Sequence, residues 1–453
     1  MIEEIKNRLD LVEFISSYVQ LKRAGAYYRG LCPFHQEKTP SFFVSPQRQI
    51  WKCFGCQTGG DVITFFMKIE NLEFKEALKI LAERLGLELS PYERERQQEK
   101  NKIFKLNQVA VKFYKEQLKV NQSAKEYLQR RGLTYKTIDD FDLGYAPSGS
   151  ALRDFCLSLG YSLADLEVAG LINARKEDRF QARLIFPLVD HLGRVVGFTG
   201  RILEEQEGIA KYLNSPETAV FRKSRFIYGL HASISEIKTA KEAIVVEGQM
   251  DWLLAFQSGL KHIVALSGTA LTDEQVKLLK RFTQKVVLAY DEDEAGIRAT
   301  LRSAPLFLHY GFELEKLLIG GVKDLGEFFE AGYLIDELKR TSLFQYLFDL
   351  GLKKFSPKTV SGKRAMIEFF LPQLKLLNPA EAQFWLTQLS DQLNVAEELL
   401  RQELMKIPND PLLISEMRVG SISAPQQFVG VEVENRFQLL LERCLALMLI
   451  LNQ

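Results

Sequence analysis

Two sets of residues in this 453-residue chain could do chemistry. The first is Cys32 with His35, then Cys53 with Cys56, each pair separated by two residues. One tight turn can aim both members of such a pair at a single ion. Three thiolates and an imidazole make a closed tetrahedral set, which marks structural rather than catalytic zinc. The histidine and the finger-like spacing favour zinc over an iron–sulfur cluster. The second set is acidic: Glu247 and Asp251, then Asp291 and Asp293. They end two apolar, β-branched runs, AIVVEGQMD from residue 243 and VVLAYDEDEAG from residue 286. Carboxylates gathered in this way repel unless a cation sits among them. Hard oxygen ligands select Mg2+ or Mn2+. Two such ions can activate an attacking oxygen and stabilise a leaving one in phosphoryl transfer.

The elements that must position these groups follow from pattern. The two apolar runs predict buried parallel strands. Their acids then lie at the carboxyl end of the sheet, where open α/β sheets bind ligands. Between them the spacing predicts a helix over 250–258 with Gly259 as C-cap, and a strand over 262–266. Thr272 with Gln275 forms a capping box for a helix through Phe282. A helix over 295–309, a strand over 312–319 and a short helix over 324–331 complete a parallel sheet with right-handed crossovers.

Upstream, Ile2, Ile5, Leu9, Val12 and Ile15 have helical spacing, so residues 1–24 read as one amphipathic helix and an extended segment. Around the cysteines, Arg29, Lys38, Arg48 and Lys52 interleave with Phe42, Phe43, Trp51 and Phe54. Cations and aromatics in alternation suit single-stranded nucleic acid, although in a small ribbon most such aromatics are core. A helix over 72–87 ends at Gly86. Residues 90–102 are almost wholly polar, as a solvated helix or a linker. Residues 179–201 read as strands joined by a D-x-x-G turn. Arg183, Arg194, Arg201, Lys211, Arg222, Lys223 and Arg225 concentrate positive charge ahead of the acidic centre, as a polyanion groove requires. Residues 341–404 are helical by period, and 405–436 resemble a linker.

Composition sets bounds. A hydrophobic fraction of 46% and a charged fraction of 26% are ordinary for a globular protein. A net charge of +1 excludes bulk attraction to a polyanion, so any nucleic-acid site is local. Five cysteines and a charged amino terminus argue for a reducing compartment. The apolar stretch 445–451 is too short to cross a bilayer. The expected location is cytoplasmic.

The pairing of E-G-x-x-D with D-x-D resembles the Toprim domain of bacterial primases, topoisomerases and some recombination proteins. That resemblance implies catalytic metal binding by Glu247, Asp291 and Asp293, with Asp251 as a supporting acid. LCPFHQEKTPSF and CFGCQTGGDVITFFM resemble the zinc-binding domain of bacterial replicative DNA primases. EYLQRRGLTYKTIDDFDLGYAP, RFQARLIFPLVDHLGRVVGFTGR and KYLNSPETAVFRKSRFIYGL resemble the start of their RNA polymerase core, and SGKRAMIEFFLPQLKLL its closing helical part.

The implied fold class is multidomain α+β: an N-terminal zinc ribbon, a mixed α/β core carrying a Toprim parallel sheet, and a C-terminal helical subdomain. The implied boundaries are a zinc-binding domain at 1–90, a linker at 91–102, the template-binding part of the core at 103–240, Toprim at 241–340, helices at 341–404, and at 405–453 a linker with the start of a helicase-binding region. Template contacts fall on Arg131, Arg201, Lys211 and Asn214. The implied cofactors are one structural Zn2+ and two catalytic Mg2+ or Mn2+. The implied partners are single-stranded DNA, NTPs, the replicative helicase and a single-stranded DNA-binding protein, for a monomer without membrane contact. Only one helix of the helicase-binding region fits in the remaining sequence, so that interaction is expected to be weakened or lost. Three departures stand out. Asp324 matches the first Asp of a D-P-D motif but Gly326 stands at the second, Glu292 replaces a Gly, and Gln249 replaces a Tyr. They bear on an auxiliary metal position and on rate rather than on reaction type. A type IA topoisomerase needs a nucleophilic Tyr in a toroidal domain, for which no room remains after residue 340. The alternative is a non-catalytic zinc and Toprim DNA-binding scaffold.

Overall fold

The computed structural model describes residues 2–70, 72–87, 91–204, 207–267, 270–319, 322–410 and 413–414. They fall into two units that divide after Ser342. The first helical segment is two helices, α1 (Ile2–Arg8) and α2 (Leu11–Ser16), rather than the one expected. Asp10 interrupts it, because its carboxylate accepts the Glu13 N–H at 2.9 Å and caps a new helix. Five antiparallel strands follow in sequence order: β1 (Lys22–Ala24), β2 (Tyr27–Gly30), β3 (Phe42–Ser45), β4 (Ile50–Cys53) and β5 (Gly59–Gly60). Their inner face shares one core with α3 (Val62–Ile69) and α4 (Phe74–Arg84). Phe42 stacks on Trp51 at 5.2 Å inside that core. Phe43 falls on the other face, where the register aligns Lys22, Arg29, Phe43 and Lys52 in one row across four strands.

Helix α5 (Pro91–Val120) takes up the polar stretch at 91–102 and continues as a core helix. Its second half buries Ile103, Leu106, Ala110 and Tyr114 in a core shared with the second sheet. α6 (Gln122–Arg130) follows. The second sheet is β6 (Gly144–Ala146), β7 (Arg183–Val189), β8 (Val195–Ile202) and β9 (Tyr212–Asn214), all antiparallel. The β7–β8 turn is the expected D-x-x-G: Asp190 accepts the N–H groups of Leu192 and Arg194, and Gly193 takes φ +80°.

The third sheet has the order β11-β10-β12-β13-β14. β10 (Ala243–Val246), β11 (Ile263–Ala265), β12 (Lys285–Leu288) and β13 (Glu313–Leu318) are parallel. Between and around them run α7 (Leu230–Ala240), α8 (Gln249–Gln257), α9 (Asp273–Lys280), α10 (Glu294–His309) and α11 (Leu325–Glu330). Apart from α7, which the sequence reading did not anticipate, these are the expected elements, and the Thr272/Gln275 capping box forms with both of its hydrogen bonds. The antiparallel edge strand β14 (Lys339–Ser342) has no counterpart in the sequence reading, since KRTS carries no apolar signal. Trp252 of α8 is fully buried at the centre, with its indole N–H on the Ile263 carbonyl at 2.7 Å.

α4 meets the core through charge. Glu76 lies 3.7 Å from Arg225, 3.8 Å from Arg281 and 3.9 Å from His191. These are ion-pair distances beyond hydrogen bonding, and both terminal nitrogens of Arg281 are buried without a hydrogen-bond partner. The second unit contains α12 (Leu343–Lys354), α13 (Val360–Leu374), α14 (Pro379–Leu393) and α15 (Glu397–Lys406), with Leu347, Phe370, Trp385 and Leu389 buried. Residues 415–453, including most of the expected linker and the start of the helicase-binding region, lie outside the described residues. Among the described residues, no helix is long and apolar enough to cross a membrane.

Candidate metal centres and the basic residues beside them

The ligand atoms of Cys32, His35, Cys53 and Cys56 all lie within 4.8 Å of one another. The Cys32 and Cys56 sulfurs are 3.9 Å apart, and the Cys53 sulfur is 3.8 Å from His35 Nδ1. Tetrahedral zinc with bonds of about 2.3 Å to sulfur sets an S–S edge of roughly 3.8 Å, so the residues fit the ion. The surrounding groups orient these ligands. Glu37 lies 3.2 Å from His35 Nε2, which leaves Nδ1 for the metal. Glu37 also accepts the Cys32 N–H at 2.7 Å and the Ser41 N–H at 3.0 Å. Ser41 contacts the Cys53 sulfur at 3.2 Å, and Thr58 contacts that of Cys56 at 2.9 Å. A Cβ at Gly55 would meet the His35 ring at 2.5 Å, so only glycine lets the second turn close over the histidine.

The acidic residues sit where neighbouring parallel strands end. Glu247 follows β10, Asp291 and Asp293 follow β12, Asp251 is in the first turn of α8, and Asp324 caps α11. Burial lifts Glu247 above the usual carboxylate range, against an N–H donated by Asp291, and the charge of Asp293 adds to the rise. Burial, then Glu247, Asp324 and Asp293, push Asp291 up to about 7. Burial, then Asp324 and Asp291, push Asp251 up to about 7. The acids therefore act on one another as a single group. Glu247 Oε1 is buried and has no hydrogen-bond partner.

The geometry is open. Among the described residues, the Cys/His set is the one group of three or more ligands that closes within 4.8 Å. Asp293 is exposed, and its Oδ1 accepts the N–H groups of Ala295 and Gly296 at 2.9 Å to cap α10. A buried orphaned oxygen within a loose ring of carboxylates fits Mg2+-like ions, which keep waters and share phosphate oxygens, better than it fits an all-protein cage. Asp251 is wedged between two glycines. A Cβ at Gly248 would meet its Oδ2 at 2.6 Å; one at Gly326 would meet its Oδ1 at 2.7 Å and Asp324 Oδ1 at 3.1 Å. A side chain at position 326 would therefore require the Asp251 carboxylate to shift.

Beside the acids stand basic and aromatic side chains. Arg131 donates to Glu330 at 2.8 Å and is close enough to Asp324 and Asp251 to act on their charge. Arg201 lies between the rings of Tyr127, at 5.2 Å, and Tyr212, at 5.3 Å. Lys211 is exposed. Asn214 accepts the Thr199 hydroxyl at 2.6 Å. Three basic residues expected to line this region are engaged elsewhere. Arg183 is buried and donates to the carbonyls of Gly200, Ala210 and Lys211. Arg194 pairs with Asp190 and lies over Phe104, and Arg225 faces Glu76.

Several site residues escaped the sequence reading. Lys316 of β13 is fully buried and donates to the Tyr290 carbonyl at 2.6 Å. Burial draws it down to about 8, while Glu292, Asp291 and Glu247 hold it up. A lysine within the apolar strand ELEKLL was the available signal. Glu37, Ser41 and Thr58 lie inside the zinc motif, but nothing in their spacing distinguishes a supporting group from a loop residue. Thr199 carried no signal.

Family models match three consecutive stretches: a CHC2 zinc finger over residues 1–98, a DNA primase catalytic core N-terminal domain over 113–234, and a Toprim-like domain over 244–329. A DNA primase of Clostridium acetobutylicum is 38% identical over 88% of this chain and 69% of its own length. The crystal structure of the Aquifex aeolicus primase, with its zinc-binding and RNA polymerase domains, is 35% identical, covers 90% of this chain and 99% of its own, and has a TM-score of 0.57. A primase catalytic domain bound to single-stranded DNA is 29% identical, covers 67% and 99%, and has a TM-score of 0.54. A zinc ribbon, a Toprim sheet ending in acids and basic residues beside it define the class of Toprim nucleotidyl-transfer enzymes. The chain belongs to the DNA primase family, and with it to the nucleotidyltransferases that polymerise RNA on a DNA template.

Proposed function

We propose that this chain makes short RNA primers on single-stranded DNA, with Glu247, Asp291 and Asp293 holding two Mg2+ or Mn2+ ions. The buried, partnerless Oε1 of Glu247 within the coupled acids carries this reading. In the reaction a 3′-oxygen–phosphorus bond forms as the α–β phosphoanhydride breaks, and pyrophosphate leaves. When bound, the ions supply Lewis-acid stabilisation of the attacking and departing oxygens. The chain's own groups hold the reactants. Arg201 is buried between Tyr127 and Tyr212 and places positive charge beneath the surface at which the exposed Tyr212 meets a single strand. Arg131, Lys211 and Asn214 extend the same surface. Asp251 and Asp324 hold negative charge beside the three ligands, and Lys316 balances it from beneath.

Zinc binding belongs to residues 1–90, template contact to 103–240, phosphoryl transfer to 241–340, and closure of the core to 341–404. The partners are single-stranded DNA and NTPs. The chain acts as a monomer in the cytoplasm.

The test is oligoribonucleotide synthesis on single-stranded DNA with NTPs and Mg2+. Glu247→Gln is expected to lower the rate by about 100-fold or more, because it removes an anionic ligand from the ions that stabilise charge developing in the transition state. Its DNA affinity should stay at the wild-type value. No product from the wild type, with DNA affinity intact in both, would establish the non-catalytic scaffold instead.

A further inference from the structure

The geometry points to Gln249 and Thr199 as positioning residues that decide which end of the Asn214 amide is presented to a nucleotide. They hold its oxygen inward and leave its NH2 as a donor for a sugar or phosphate oxygen. This rests on the reading of Asn214 as a template-contacting residue.

Three side chains form the relay. Gln249 opens α8 two residues after Glu247 and is 3% exposed. Its Nε2 donates to Thr199 Oγ1 at 2.9 Å. Thr199 of β8 is 1% exposed, and its Oγ1 donates to Asn214 Oδ1 at 2.6 Å. A hydroxyl has one proton and two lone pairs. With the Gln249 N–H directed at one lone pair, that proton is free to go to Asn214. An asparagine whose oxygen is held in this way has both of its N–H donors on the other side of the amide. A chain of hydrogen bonds that runs in one direction also strengthens each member.

The rest of Asn214 is fixed. It pairs across the strands with Thr199, and its carbonyl accepts two N–H groups of Arg179, at 3.1 and 2.7 Å. The amide orientation is the freedom left to it, and the relay removes that. Asn214 borders a cleft with Lys223 and Ser267 beyond the end of β11. Ser267 Oγ is buried without a partner, and Ser267 takes φ +57°. Leu188, Phe221, Phe226 and Leu266 complete the lining, and the Lys223 cation and the Asn214 NH2 are the donors on it that suit an acceptor oxygen. Because Gln249 shares a strand–helix junction with Glu247, the element that places an acid also sets the amide.

The experiment uses the full chain with Asn214→Ala, Thr199→Val, Gln249→Glu and the Thr199→Val/Asn214→Ala double variant. Kd for single-stranded DNA, read by fluorescence anisotropy, separates a template oxygen from an NTP oxygen, which is read as KM. Thr199→Val is expected to raise one of these constants roughly 3- to 10-fold, the size of one positioned hydrogen bond, with kcat within about twofold. The double variant should be no weaker than Asn214→Ala alone. Gln249→Glu, which can only accept from Thr199, should weaken the same constant. If Thr199→Val does not fold, Gln249→Met poses the same question from the other end of the relay. Additive losses in the double variant, or a fall in kcat with Kd and KM unchanged, would overturn the inference. So would Asn214→Ala with wild-type constants, while loss of activity in Glu247→Gln would still leave the polymerase reading in place.

Discussion

At the level of single residues, the acids at the strand ends set a condition on the protein's stability. Asp251 and Asp291 titrate at about 7 in the folded chain, against about 4 in an unfolded one. Between those values the folded state binds more protons than the unfolded state. Stability from this source is therefore complete below about pH 4 and drains away as pH rises through 7. A divalent ion replaces the proton once the acids ionise. The gain in melting temperature from millimolar Mg2+ should then be larger at about pH 8 than at about pH 5.5. Equal gains at both would show that these carboxylates do not take the ion. The candidate ligands stood out in the sequence because metal chemistry narrows the choice of residue types, and the structure brings Cys32, His35, Cys53 and Cys56 together. Lys316 was not, because a lysine's partner lies across a sheet whose register no short window reveals. Glu37 was not, since a carboxylate that orients a histidine is written like any loop acid.

At the level of elements, the parallel sheet was the most legible part. β10, β11 and β12 are largely apolar runs, and the helices carry their own caps at Asp293, Thr272 and Asp324. The split between α1 and α2 was hidden because the apolar period runs straight through Asp10. Packing at the centre is tight enough to test. Gly229 has φ +76°, and a Cβ there would fall within the Trp252 indole. Gly229→Ala should lose at least about 2 kcal/mol in urea unfolding, from left-handed strain together with overpacking. A loss under about 0.5 kcal/mol would mean that Trp252 can move aside.

The zinc ribbon offers a second test at this scale. Its five strands are short, and a structural zinc site contributes folding free energy outright. Chelation should expose residues 1–90 to protease while the Toprim sheet resists as before. Unchanged resistance of the ribbon would show that Phe42, Trp51, Phe65 and Phe66 suffice without metal.

At the level of the whole molecule, the polar stretch at 91–102 could not be read as helix or linker, because it lacks an apolar period. It forms a helix continuous with a core helix, about 45 Å long in all. Around its first half, Lys79, Arg96, Arg194 and Arg222 crowd Lys100, whose pKa burial and those four charges depress. The zinc ribbon and the core therefore meet across a surface rich in cations, with Glu76 as a carboxylate counterpart to Arg225 and Arg281. Glu76→Gln should speed protease cleavage between residues 88 and 102 at low salt and leave cleavage at high salt unchanged. Equal rates for both proteins at all salt concentrations would show that Glu76 holds nothing.

That contact acts through field rather than fit, and its most exposed member, Arg225, is the one whose attraction to Glu76 salt screens most. Buffer strength is then a posture control. Product yields in dilute and concentrated salt are then expected to differ through Glu76 as well as through DNA binding, and Glu76→Gln separates the two contributions.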